Sequence, residues 1–135
     1  MLNILIVDAD VSIRSLLAAH LSLRDNPVVA VANGVEAVLS AKRQIFDLAF
    51  VDDEMPNGTD ALETAKELKQ INPAATVVIL NGGIHSDRPP EAVIKEFEVI
   101  GKPFALVDIE NIVIGEEKKR AASAIDPLCH LAKLF

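Results

Sequence analysis

Short apolar runs that end on polar residues alternate along this chain with stretches whose apolar positions recur every three to four residues. Residues 3–8 (NILIVD) form an Ile- and Val-rich run closed by a carboxylate, which predicts a strand covered on both faces. In residues 12–24, Ile13, Leu16, Leu17, His20 and Leu21 fall on one stripe of an amphipathic helix that Ser12 or Asp10 is placed to cap. Residues 27–32 (PVVAVA) predict a second strand, Asn33–Gly34 a turn, and residues 35–44 a helix buried through Val35, Val38 and Leu39. Residues 46–52 (FDLAFVD) repeat the first pattern, again ending on a carboxylate, and residues 53–59 (DEMPNGT) have the Pro, Asn and Gly of a loop. A helix is expected over residues 60–71, with Leu62, Ala65, Leu68 and Ile71 on its stripe and Asn72–Pro73 ending it. Residues 75–80 (ATVVIL) predict the fourth strand, 81–88 a loop, 89–97 a short helix opening on proline, and 98–101 a weak fifth strand. From Phe104 onward the pattern is helical, with Gly115 as a candidate break, 116–120 (EEKKR) as a solvated face, and Asp126–Pro127 dividing off a last short helix.

Strands that alternate with helices through short connections imply right-handed crossovers, hence a parallel sheet with helices on both faces, a three-layer α/β domain. The expected organisation is one domain over residues 1–120 followed by a C-terminal helical extension, 121–135. With 135 residues and 50% of them hydrophobic, the chain can bury a core of that size. Thirteen Lys and Arg against twenty Asp and Glu leave a net charge of −7, which opposes direct binding to nucleic acid or to an anionic membrane. The single cysteine, Cys129, precludes an internal disulfide, and Cys129–His130 lacks zinc-ligand spacing. No apolar run reaches the roughly 18 residues of a membrane span, so a cytoplasmic location is the default.

Ligands of such sheets bind beyond the carboxyl ends of the strands. Four of the five predicted strands end there on polar residues: Asp8, Asp52, Asn81 and Lys102, spaced by 44, 29 and 21 positions. Any one of them is an ordinary turn residue, but the four converge on one edge. Two carboxylates, a lysine and an amide suit phosphoryl transfer, which needs a nucleophilic oxygen, a divalent cation and positive or N–H donors around an anionic transition state. Asp52 is the candidate nucleophile, Asp8 a Mg²⁺ ligand directly or through water, and Lys102 and Asn81 partners for phosphoryl oxygens. Gly82 and Gly83 leave room for the group to approach.

Residues 4–8 (ILIVD) with Arg14 following, 46–56 (FDLAFVDDEMP), 75–82 (ATVVILNG) and 101–104 (GKPF) resemble the receiver domains of two-component response regulators, over residues 2 to about 115. Asp52 followed by Met55 and Pro56 is the most specific match, reinforced by Lys102–Pro103–Phe104. The resemblance implies a flavodoxin-like sheet of order 2-1-3-4-5. It implies a phosphorelay role in which Asp52 accepts a phosphoryl group from a histidine kinase or phosphotransfer protein, Lys102, Asn81 and Gly82 contact that group, and Lys102–Pro103 is a candidate cis peptide. The metal set it implies is Asp8, Asp52 and Glu54, the last by backbone or side chain.

The departures from that pattern are equally specific. Ala9 stands where the family has a second acid that ligates the metal directly, so a weak Mg²⁺ site is expected. Asn81 replaces the hydroxyl residue and Val99 the aromatic of the two switch positions, so phosphorylation is expected to change residues 84–105 little. Residues 56–61 (PNGTDA) carry one position more than the usual loop. Two functions stay open: an atypical phosphorylated receiver with an unknown downstream partner, and a pseudo-receiver that binds its protein partner whether or not phosphate is present. An enzyme is not expected. Residues 8–12 (DADVS) fit the D-x-D-x-[ST] pattern of haloacid-dehalogenase-type phosphatases, but that family places its acidic pair after the lysine, and Asp52–Asp53 precede Lys102. A flavin site lacks a Trp or Tyr to stack on the ring. Met55 is expected in the core, His20 on a helix face and His85 in a loop.

Overall fold

The computed structural model describes residues 1–55, 60–81 and 97–134, with side chains to residue 122. Five parallel strands, β1 (Ile4–Val7), β2 (Val28–Val31), β3 (Leu48–Asp52), β4 (Thr76–Asn81) and β5 (Glu98–Gly101), form one sheet in the order β2-β1-β3-β4-β5. This is the flavodoxin-like order expected from the resemblance. The two central strands β1 and β3 are buried along their whole length, which is why both read as unbroken apolar runs. Register pairs Ile6 with Ala30 and Phe50, and Phe50 in turn with Val78.

Helices α1 (Val11–Ser22), α2 (Gly34–Arg43) and α3 (Ala61–Ile71) connect the first four strands. The step from β1 to β2 runs across the sheet in the opposite direction to those from β2 to β3 and β3 to β4, so right-handed crossovers put α1 on one face and α2 and α3 on the other. Alternate side chains divide accordingly. Leu5 and Val7 of β1, Ala49 and Val51 of β3, and Val77 and Ile79 of β4 join Ala37, Ala61, Ala65 and Leu68 in one core cluster, against which Met55 packs as expected.

Each of these three helices starts on an Asp or Asn that accepts backbone N–H groups otherwise left without partners. Asp10, rather than Ser12, caps α1, accepting from Ser12 N (2.9 Å) and Ile13 N (3.4 Å). Asn33 caps α2 through Glu36 N (2.9 Å), and Glu36 returns a carboxylate oxygen to Ala32 N (2.9 Å). Asp60 caps α3 through Leu62 N (2.9 Å). At the far end of α1, Asp25 turns the chain with φ 62°, and buried Asn26 accepts from Leu2 N (2.8 Å).

Two expected helix faces are corrected. In α2 the buried positions are Gly34 and Ala37 with Ala41 packed beside them, whereas Val35 and Leu39 are 64% and 50% exposed. Helix α2 packs against both β1 and α3, and that close approach selects small side chains. In α1, Leu17 and Leu21 are fully buried while Leu16 is exposed, because four apolar positions span more arc than one sheet contact covers.

The chain divides into two compact units, residues 1–104 and 105–135. The second is a single 29-residue helix, α4 (Leu106–Leu134), which continues through Gly115 and through Asp126–Pro127, the two places where a break was expected. A helix interior tolerates one Gly at a cost of about 1 kcal/mol, and a Pro at about 3 kcal/mol without obligatory termination. Its segment 116–120 is not uniformly solvated: Glu116 is buried and pairs with Arg120 at 3.3 Å. The helix expected over residues 89–97 lies outside the described residues except for Phe97, which is buried in the core cluster. Gly82, Gly83, His85 and residues 56–59 also lie outside them.

Candidate functional site

The carboxyl ends of the strands are tied together by backbone bonds just beyond the sheet. Asp8 N donates to Val31 O (3.1 Å), Asp53 N to Leu80 O (3.0 Å) and Lys102 N to Asn81 O (2.8 Å). These bonds carry the strand register one residue further and bring Asp8, Asp52 and Lys102, expected from sequence to share an edge, into one cluster. Lys102 Nζ donates to Asp52 Oδ1 at 2.6 Å, a contact between residues 50 positions apart. The peptide Lys102–Pro103 is cis, as the resemblance suggested.

Asp52 and Asp8 are both buried, at 2% and 0% exposure. Asp52 Oδ1 accepts a second bond from Glu54 N (3.2 Å). Asp8 Oδ1 accepts from Asp10 N (2.9 Å), while Asp8 Oδ2, also buried, receives no hydrogen bond from the described residues. Burial, followed by the negative charge of the neighbouring Asp52, pushes Asp8 up from 3.8 to about 6, against the opposing pull of Asp10 N–H and Lys102. For Lys102, burial acts downward but is outweighed by the hydrogen bond to Asp52 and the charges of Asp52, Asp8 and Glu54, so its affinity for a proton rises.

The Glu54 side chain is exposed, and among the described residues no three His, Cys, Asp or Glu side chains gather as a metal-holding group. The part of Glu54 that touches the acidic pair is its backbone. Asp8 Oδ2 is nevertheless a buried, anionic oxygen with no donor among the described residues, beside a second carboxylate, and a hard divalent cation is the partner such an atom suits.

Asn81 ends β4, half-buried and in register with Gly101. Val99 pairs with Ile79 and packs against the core. A residue absent from the sequence expectations as a contributor is Arg14, whose Nη1 donates to the backbone carbonyl of Asp8 at 2.8 Å. The sequence signal was its place one turn into the helix that follows the Asp8 loop.

A family model for the response regulator receiver domain matches residues 4–114. The chain belongs to the response regulator receiver family. Transcriptional regulatory protein ZraR of Escherichia coli K12 is 31% identical over 121 residues, covering 89% of this receiver and 26% of that protein. ZraR of Klebsiella oxytoca is 34% identical over 91 residues, covering 67% and 20%. The chain thus spans about a fifth to a quarter of the length of these relatives. Among solved structures, adenylate cyclase from Rhodopirellula baltica is 28% identical with a TM-score of 0.80, over 93% of this chain and 95% of that one. A receiver domain protein from Clostridium thermocellum, 21% identical, superposes with a TM-score of 0.79 over 90% and 98%, a likeness of fold.

Membership places the chain in two-component signalling, among domains that interact with histidine kinases or phosphotransfer proteins, typically bind Mg²⁺ at an acidic pocket and are generally not enzymes. Among the described residues, no helix is long and apolar enough to cross a membrane.

Proposed function

We propose that this receiver accepts a phosphoryl group on Asp52 from a histidine kinase or phosphotransfer protein, and that it is an atypical member in both metal binding and output. The observation that carries this is the juxtaposition of Asp52, Lys102 and Asp8 at the strand ends, with an ammonium 2.6 Å from a buried carboxylate. In the transfer, a carboxylate oxygen of Asp52 forms the new O–P bond while the bond from phosphorus to the donor's imidazole nitrogen breaks, and the nitrogen keeps the electron pair. Asp52 Oδ1 already holds Lys102 and Glu54 N, which leaves Oδ2 as the less encumbered nucleophile. Lys102 is placed to move from Asp52 to an oxygen of the incoming group, exchanging one anion for another. Asn81 and Gly82 complete the phosphoryl contacts in this proposal.

Asp8, Asp52 and the backbone of Glu54 would hold Mg²⁺, which supplies positive charge that offsets the phosphoryl oxygens and the two carboxylates. With Ala9 in place of an acid, the ion keeps more of its water and binds weakly. Residues 1–120 are assigned to the receiver and 121–135 to a C-terminal extension, within a helix that is continuous across that point. Treatment with acetyl phosphate and Mg²⁺ followed by intact mass analysis tests the acceptor: one phosphoryl adduct is expected on the native chain and none on Asp52→Asn.

A second function, a pseudo-receiver that engages its protein partner regardless of phosphate, is favoured by the packing of Val99 against the core, where a mobile aromatic would otherwise report phosphorylation. Partner affinity unchanged between native protein and Asp52→Asn, with no adduct from any donor, would establish it.

A further inference from the structure

We infer that Arg14 is a positioning residue for the metal subsite, fixing the Asp8–Ala9 peptide so that Asp8 Oδ2 remains the oxygen available to a divalent cation. The inference rests on the proposed acceptor site and concerns how that site is built without a second acid.

Strand β1 ends at Val7, so the carbonyl of Asp8 lies past the last paired residue of a fully buried strand and needs a donor from elsewhere. Arg14 provides it, reaching back six positions from the first turns of α1 with Nη1 2.8 Å from Asp8 O. The rest of the loop is laced from the same helix end. Asp10 N–H holds Asp8 Oδ1 (2.9 Å), the Asp10 side chain caps α1, and Arg14 N donates to Asp10 O (2.9 Å). Arg14 therefore enters the loop by its backbone and its side chain together. With the carbonyl and Oδ1 both engaged, the orientation of the Asp8 carboxyl is set and Oδ2 is left without a donor among the described residues.

Ala9 makes this matter more here than in a site with two adjacent acids. Where a neighbouring carboxylate also ligates the ion, a misaimed Asp8 loses one of two strong contacts from the loop. In this chain the loop offers Oδ2 alone. The effect is one of position: Arg14 holds the backbone carbonyl of Asp8, whereas Lys102 is a cation that acts on its carboxylate.

The test compares native protein, Arg14→Met, which keeps much of the apolar stem and loses the donor, and Arg14→Lys, which retains one. Mg²⁺ is titrated while amide shifts of residues 8–10 and 52–54 are followed, and separately while the rate of labelling by acetyl phosphate is followed. Loss of a group that orients a metal ligand typically weakens binding by tenfold or more. The expected result is a Mg²⁺ half-saturation raised about tenfold in Arg14→Met, by both readouts, with the rate at saturating Mg²⁺ within about twofold of native and most of the affinity restored in Arg14→Lys. Thermal melting in EDTA identifies variants that fail to fold, in which case Arg14→Leu, which also lacks a donor, replaces Arg14→Met. Unchanged half-saturation in a folded variant lacking the donor would overturn the inference, as would native protein whose amides do not respond to Mg²⁺. A native protein that binds Mg²⁺ but takes no label would refute the acceptor assignment and leave the inference to the shift titration.

Discussion

Replacing Asp8 by Asn should make the metal-free protein more stable at neutral pH, although it removes a residue of the site. Asp8 is fully buried, and its carboxyl is pushed from 3.8 to about 6, by burial first and by Asp52 second. A carboxyl whose folded value is raised favours the protonated form in the native state. Its favourable contribution is therefore present below about pH 4 and is lost as pH rises through about 6. The loss, at 1.36 kcal/mol per unit, is about 3 kcal/mol once Asp8 is ionised in both states. Asn mimics the neutral carboxyl in shape, can still accept from Asp10 N, and can donate toward Asp52. Some of the gain is offset because Lys102 loses one of its three neighbouring anions, so about 2 kcal/mol at pH 7.5 is expected, or roughly 6 °C in Tm for a chain of this size. Thermal unfolding followed by far-UV circular dichroism in EDTA at pH 7.5 and 4.5 measures it. The advantage should shrink at the lower pH, where native Asp8 is largely protonated when folded. A variant less stable than native protein at pH 7.5, or one whose advantage is the same at both pH values, would refute the assignment of strain to the buried carboxylate.

Lys102→Met strands two buried carboxylates without a cation, and since the Lys102 side chain is itself 18% exposed the expected loss is about 2–3 kcal/mol in urea unfolding at pH 7.5. The raised proton affinity of Lys102 means that its own contribution persists through neutral pH and is lost only as pH climbs beyond 10.5, the value from which it is raised. Phe50→Ala empties the middle of β3, where Phe50 is fully buried between its register partners Ile6 and Val78, and should cost about 3–5 kcal/mol, lowering the urea midpoint with little change in slope. Ala9→Asp supplies a further hard oxygen at the loop and should tighten Mg²⁺ severalfold by amide-shift titration, whereas equal affinities would mean that another group already fills that place.

The sheet was legible because burial on both faces leaves an unmistakable trace: β1 and β3 are continuous apolar runs bounded by polar turns. Even the half-buried β5 could be placed, by the Gly101–Lys102–Pro103 punctuation that follows it. Helix faces were less legible. Val35 and Leu39 look like core residues by hydrophobicity, yet the core positions of α2 are Gly34 and Ala37, chosen for close packing rather than for apolar area. The charged cluster was legible in outline, since Asp8, Asp52 and Lys102 each close a predicted strand. What the sequence did not disclose are the backbone bonds that aim those side chains, such as Lys102 N to Asn81 O and Arg14 to Asp8 O. Such bonds depend on register and loop path, which residue types alone do not specify.

The most direct test of the central claim is to locate the phosphoryl group chemically. An acyl phosphate is reduced by borohydride to the corresponding alcohol, so an aspartyl phosphate becomes homoserine at the site of modification. After incubation with acetyl phosphate and Mg²⁺, borohydride treatment and peptide mapping by tandem mass spectrometry, homoserine is expected at position 52 and at no other aspartate. Homoserine at Asp8, Asp10 or Asp53 with Asp52 unmodified, or no homoserine in a chain shown by amide shifts to bind Mg²⁺, would contradict the assignment of Asp52 as the phosphoacceptor.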